Sequence, residues 1–135
     1  MTSDRAGLRA ELFRMLDDET GIRSTRSSWG RIAALGDRDD LALVFSVSED
    51  KVSVYMKART EAASHWVTCH ADALTAALGT VMGQGSGQAA KGYLFRKDNR
   101  NACLALRRTW PEAIRFFQVQ FARFDQAIRQ LEDVT

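Results

Sequence analysis

Residues 41–58, LALVFSVSEDKVSVYMKA, contain two alternating apolar runs joined by a short polar link. The first run places four large apolar side chains on one side, namely Leu41, Leu43, Phe45 and Val47. The second run does the same with Val52, Val54 and Met56. Period-two alternation around Ser-Glu-Asp-Lys predicts a β-hairpin. Its apolar face needs a covering layer, since one face of an antiparallel sheet normally packs on a core.

Helical spacing of apolar residues occurs on both sides of this hairpin. We predict a first helix over residues 4–19 and a second over residues 61–79, and a glycine follows or ends each of them. The polar stretch 22–40 predicts a loop with a short strand near residues 29–33. A glycine-rich segment, residues 79–92, predicts a flexible loop.

The final helix is predicted from its start signal and its apolar seam. Thr109 and Glu112 have the spacing of a capping box, with Pro111 in the first turn. The seam residues step by three and four: Ile114, Phe117, Phe121, Phe124, Ile128 and Leu131. We interpret the seam as core that covers the sheet, with a dimer or partner face as the alternative. Phe116 and Val119 lie off the seam and would form a contact patch if exposed.

A second hairpin is predicted from YLFRK and ACLALR, which flank Asp-Asn-Arg-Asn. Its alternation places Tyr93 and Phe95 on one face, with Leu94 and Arg96 on the other. The predicted fold class is therefore α+β, in the order α-β-β-α-β-β-α. We expect one two-layer domain over residues 1–135, with about four antiparallel strands and three helices.

Composition is that of an ordinary globular domain, with 135 residues of which 45% are hydrophobic and 27% charged. No apolar run approaches the length of a membrane span, and the N-terminus does not resemble a signal peptide. Cys69 and Cys103 are interpreted as reduced thiols. We therefore expect a cytoplasmic protein without membrane contact.

Positive charge is concentrated in one segment, although the net charge is only +2. Residues 91–108, which we call the basic segment, contain one acid, Asp98, and six basic residues: Lys91, Arg96, Lys97, Arg100, Arg107 and Arg108. These six are the candidate contacts to nucleic-acid phosphates or an acidic protein surface. A solvated hairpin is the alternative. Alternation assigns Tyr93 and Phe95 to the core, which leaves only sequence-independent electrostatic contact.

Catalytic and metal-binding patterns are not met. His65 and Cys69 share a helix face, but His70 is rotated away and paired-cysteine spacings are absent. The glycine-rich segment lacks Gly-Lys-Ser/Thr. Tyr55, and not an acid, stands two residues before Lys57, where a restriction-type nuclease needs a carboxylate for Mg²⁺. We predict no catalytic residues, metal or cofactor, and an enzyme is the least favoured function.

Several apolar stretches scattered over about residues 8–131 match the pattern of a known domain family. They include Phe13 in the first helix, Trp29-Gly30, VSVYM, HADALTAALG, and TWPEAIRFF with FARFDQAI. In these the chain resembles a bacterial domain family of unknown function, found alone or fused behind restriction-endonuclease-like modules. It departs from that family after Gly79, where the family usually has a Trp-containing segment. The resemblance implies a similar fold and a defence, mobile-element or DNA-processing setting, and it supplies no active-site residues.

Small dimeric secretion chaperones are similar in the order of elements only, and they are usually acidic, unlike the basic segment. The leading hypothesis is a non-enzymatic binding module that uses the basic segment on nucleic acid or an acidic protein. The alternative is a protein–protein adaptor, chaperone-like or inhibitory, working through an apolar face. A homodimer is left open.

Overall fold

The computed structural model of the chain describes residues 5–26, 30–83 and 94–133. The helices are α1 (Arg5–Thr20), α2 (Glu61–Cys69), α3 (Ala71–Leu78) and α4 (Trp110–Asp133). The strands are β1 (Thr25–Arg26), β2 (Gly30–Ala34), β3 (Leu41–Val47), β4 (Val52–Ala58) and β5 (Leu94–Asn99), and a 3₁₀ turn spans Arg107–Thr109. The predicted α+β class with an antiparallel sheet is confirmed, but the numbers of strands and helices and their order differ. None of these described helices is long and apolar enough to cross a membrane.

The sheet has the order β1-β2-β3-β4-β5, and every neighbouring pair is antiparallel. Its centre is the hairpin predicted from residues 41–58, whose register runs from Leu41 opposite Ala58 to Val47 opposite Val52. The Ser48 amide donates to the carbonyl of Lys51 at 2.9 Å and closes the turn. The predicted hairpin is therefore confirmed.

One face of the sheet carries the core. Leu43, Phe45 and Met56 are fully buried there, in a cluster that includes residues from all four helices. The ring of Phe117 on α4 lies 5.0 Å from that of Phe45 and 6.1 Å from that of Phe13 on α1. The α4 seam is thus core, as predicted. Its four buried members are Ile114, Phe117, Phe124 and Ile128, and its partly buried members are Phe121 and Leu131.

The opposite face, called here the second face, mixes apolar side chains with polar ones such as Ser46 and Ser53, which pair across β3 and β4. Ile32, Val44 and Tyr55 stand side by side on β2, β3 and β4. Ala42 and Val44 are buried, yet neither belongs to the core cluster. The described helices therefore pack on one side of the sheet only.

Strand β2 forms in a segment predicted mainly as loop, and it includes most of the short strand expected near residues 29–33. It begins at Gly30, which pairs with Ser46 on β3. A Cβ atom at Gly30 would lie 1.8 Å from the carbonyl oxygen of Phe45. Only glycine permits this approach of the two backbones.

The predicted second hairpin is wrong. Its first arm is β5, which pairs with β4, while residues 102–106 form no strand. Instead, the Leu104 amide donates to the carbonyl of Ser48 at 2.9 Å, and the Cys103 amide donates to Thr109 Oγ1 at 3.1 Å. A distant backbone carbonyl and a threonine side chain therefore take the place of the strand-to-strand hydrogen bonds of the predicted hairpin. The Thr109 hydroxyl is used here rather than in the predicted capping box, and it also donates to the carbonyl of Leu106.

Strand β5 contains a bulge that changes the predicted alternation. Leu94 stands opposite Met56 and Lys97 opposite Val54, so two residues of β5 face the single residue between them on β4. Phe95 takes a positive φ of 53° at this point and is fully buried, as predicted. Leu94 also packs against the core, although alternation placed it on the other face. Tyr93 and most of the predicted 79–92 loop lie outside the described residues.

The predicted helix over residues 61–79 is divided at His70. This residue has φ −107° and ψ 16°, and its Nδ1 lies 2.7 Å from the carbonyl oxygen of Trp66. A side chain that binds the carbonyl four residues back competes with continued helix geometry. α3 then ends at Gly79, whose left-handed φ of 73° is a common helix terminus.

We predict that Gly30→Ala lowers the free energy of unfolding by about 2 kcal/mol or more, because the new methyl group must displace the β3 backbone. Urea denaturation of the two proteins measures this. Ala34→Ser, on an exposed position of the same strand, should change it little. An unaltered midpoint for Gly30→Ala would mean that β2 does not approach β3 in this way.

Candidate partner-binding surface

The first cations of the basic segment are used within the fold. Arg96 Nε donates to Asp98 Oδ1 at 2.9 Å. Lys97 points to the helix side, where its Nζ donates to the carbonyl of Leu78 at 2.9 Å. Burial lowers the pKa of Lys97, and the nearby Arg123 lowers it further. Neither cation is presented freely to a partner.

Asp98 is the centre of a small polar network on the second face. The buried Ser53 hydroxyl donates to Asp98 Oδ1 at 2.6 Å, and Lys51 Nζ lies 3.6 Å from the other carboxylate oxygen. Burial raises the pKa of Asp98, but hydrogen bonds from Ser53 and Arg96 outweigh it and leave the pKa below its usual value. The Asp98 carboxylate therefore balances the positive charges of Arg96 and Lys51 within the fold.

Arg100 and Arg107 are arranged differently, in exposed ion pairs. Arg100 Nη1 lies 3.3 Å from Asp50 Oδ2, and the two side chains are 66% and 70% exposed. Arg107 donates twice to the Glu11 carboxylate and lies 4.7 Å above the ring of Trp110. The single contact between Arg100 and Asp50 joins two exposed side chains and is weak, so Arg100 can exchange this acid for a partner's at small cost. The two hydrogen bonds from Arg107 to Glu11 make the stronger pair.

Two more side chains are available beside these arginines. Arg108 is exposed and makes no ion pair within the described part of the chain. Leu106 is 42% exposed, one of the large apolar residues that the fold leaves in water. Because Leu106 was counted in a predicted strand, the sequence carried no signal for this exposure. Lys91, the sixth candidate, lies outside the described residues.

These groups meet at one end of the molecule. The Leu104–Ser48 hydrogen bond holds the stretch after β5 against the β3–β4 turn. Arg5, at the start of α1, forms an ion pair with Glu49 in that same turn. We call the exposed set the end surface: Arg100, Leu106, Arg107 and Arg108. Acids from α1 and the turn are interspersed with its arginines, which the sequence could not reveal because they lie far away along the chain.

The histidine–cysteine pair is present on the surface of α2. Cys69 Sγ and His65 Nε2 are 3.4 Å apart and both side chains are exposed. His70 instead contacts its own helix, with its ring 4.2 Å from that of Trp66. Among residues 5–26, 30–83 and 94–133, three or more metal-binding side chains never cluster.

The off-seam pair on α4 is only partly exposed. Phe116 is half-buried, with its ring 6.0 Å from that of Phe117. Val119 is 47% exposed and lines a shallow groove beside Ala77 of α3. One of the two residues is thus available for contact.

Comparison with protein-family models, curated proteins and solved structures found no match for this chain.

We predict that Asp98→Asn weakens the acid dependence of stability. A carboxylate with a lowered pKa in the folded state contributes stability above its ordinary pKa of 3.8, and this is lost as the pH falls further. The difference in unfolding free energy between wild type and Asp98→Asn should therefore be larger at neutral pH than below that value. Chemical denaturation across the acid range measures it. Glu19→Gln, an exposed acid of α1, serves as the control, and a difference independent of pH would contradict the assignment.

Proposed function

We propose that this protein is a non-enzymatic binding module whose end surface engages an acidic protein surface. The observation that carries the proposal is the exposed Leu106 beside three exposed arginines, Arg100, Arg107 and Arg108. Arginine is enriched among the residues that contribute most at protein interfaces, and the buried centre of an interface is more apolar than its rim. The ion pairs that must open when a partner's carboxylates replace Asp50 and Glu11 are exposed at the surface.

The interspersed acids favour protein over nucleic acid as the partner. Glu11, Glu49 and Asp50 lie among the arginines of this end. A phosphate backbone carries uniform negative charge and would be repelled by these acids. A protein surface can place its own acids against the arginines and its own cations against the acids. The proposed binding surface is therefore only the exposed second half of the basic segment, and not the whole segment.

The cellular setting belongs to the same proposal. A role in bacterial defence, mobile elements or DNA processing rests on the family resemblance of the sequence. The fold itself does not specify this role, so the setting is argued from the resemblance alone.

We predict that Arg100→Glu, Arg107→Glu and Arg108→Glu together abolish capture of the partner from a nuclease-treated bacterial lysate. The reversed charges would meet the partner's acids at close range. The matched control carries the same change in net charge on three exposed cations outside the end surface: Arg26→Glu, Lys57→Glu and Arg115→Glu. A protein retained by wild type and control but not by the end-surface variant supports the proposal. Equal retention by both variants would sink it.

Nucleic acid is the other outcome of this test. A mixed DNA and RNA pool that shifts at about physiological salt, with a steep loss at higher salt, would show phosphates as the partner. If the end-surface variant loses that shift, the end surface is still the binding surface, but its partner is nucleic acid and not protein.

A second candidate, an adaptor that works through an apolar dimer face, rests on Val119. Its exposed side chain beside the α3–α4 groove is the apolar patch anticipated for that function. The prediction is a light-scattering mass near twice that of one chain, reduced to one chain by Val119→Glu. A monomeric mass for the wild type at high concentration would remove this candidate.

A further inference from the structure

A cleft of about 330 Å³ lies on the second face of the sheet, at the end away from the end surface. Its floor is apolar, formed by Ile32, Ala34 and Ala42. Ala34 and Ala42 pair across β2 and β3, so two small side chains stand together where larger ones flank them. The depression is therefore a direct result of the β2–β3 register.

The rim of the cleft carries two arginines. Arg23 follows α1, and Arg59 follows β4, where its backbone amide donates to the carbonyl of Asp40 at 2.8 Å. Both side chains are exposed, and within the described residues neither guanidinium has a hydrogen-bond or ion-pair partner. This distinguishes them from the arginines of the basic segment, most of which already bind acids.

The acids near the rim do not neutralise this pair. Asp40 accepts two hydrogen bonds from Arg38, at 2.8 and 3.1 Å, and these hold the pKa of Asp40 below its usual value. Asp39 is the single acid that lines the cleft. Two free guanidinium groups against one carboxylate leave the rim positive above an apolar floor.

We infer that this cleft binds a small organic carboxylate, with its apolar body on the alanine floor and its carboxylate against Arg59 and Arg23. The volume lies at the small end of the range for ligand sites. A planar guanidinium binds a carboxylate with two parallel hydrogen bonds, which fixes orientation as well as charge. The site is independent of the proposed protein partner because it uses other residues at the opposite end of β3 and β4.

The probe for this site is 3-phenylpropanoate, and its neutral isostere 3-phenylpropanamide is the matched ligand control. Saturation-transfer NMR and calorimetry should detect saturable binding of the carboxylate to the full chain, in the millimolar range or tighter. The amide should bind at least about tenfold more weakly, because it lacks the charge-assisted pair. Equal affinity for the two ligands, or no saturable binding of the carboxylate, overturns the inference.

Four variants test the location of the site, two that should lose binding and two that should keep it. Arg23→Gln with Arg59→Gln should weaken carboxylate binding at least about tenfold, and Ala34→Asp should abolish it by placing an anion on the floor. Arg115→Gln, an exposed arginine of α4, and the end-surface triple variant should both bind as the wild type does. Circular dichroism and thermal unfolding establish that each variant is folded. Unchanged binding by the folded Arg23/Arg59 variant would place the ligand elsewhere and overturn the inference.

Discussion

The contact between Phe117 and Phe45 is the interaction on which the remaining arrangement depends. Phe45 lies in the central strand and Phe117 in the longest helix. Phe13 of α1 packs against the ring of Phe117 as well. Burying aromatic rings of this size contributes strongly to a core. Once this side of β3 faces the helices, the intervening residues Ala42 and Val44 must face the other way, since successive strand residues point to opposite sides. The alanine-floored cleft is thus a consequence of where Phe45 points.

Four cations of the basic segment divide into two groups by what surrounds them. Arg96 donates to Asp98 on its own strand and Lys97 donates to the carbonyl of Leu78 on α3, so both cations are bound within the fold. Arg100 and Arg107 are exposed, and they pair with exposed acids of the β3–β4 turn and of α1. Charge density along the sequence does not distinguish these groups. The burial of each cation and the residue that it binds do distinguish the groups. These two properties restrict the candidate surface to a few side chains.

Sequence patterns predicted the elements whose signal is local. Alternation in residues 41–58 is sufficient for the hairpin, and three–four spacing after Pro111 is sufficient for α4, because each pattern is read over neighbouring residues. Elements decided by distant contacts were predicted only in part or wrongly: β2 was expected as a short strand within a loop, and the second arm of the second hairpin does not form. Leu104 takes its backbone partner from Ser48, and β2 needs the close approach that Gly30 allows. The bulge at Phe95 likewise shifts Leu94 toward the core without any turn residue to announce it.

The candidate site follows the same division. Six basic residues were visible as a concentration of charge, but Glu11 stands 96 residues before Arg107, and no pattern connects them. Arg23 and Arg59 were not singled out, because they lie in separate loops and meet only when β2, β3 and β4 are assembled. The exposure of Leu106 could not be predicted, because the sequence pattern places this residue in a strand that does not form.

The two edges of the sheet affect how another chain can approach. β1 is only two residues long, and β5 is bent at its bulge, where the Phe95 amide already donates to the carbonyl of Met82. Long, flat edges with free backbone groups recruit further strands, and natural sheets avoid this by shortening or bending them. Within the described residues, neither edge offers a continuous backbone template. This arrangement favours recognition through side chains over extension of the sheet, and surface side chains can be substituted one at a time while the fold is retained.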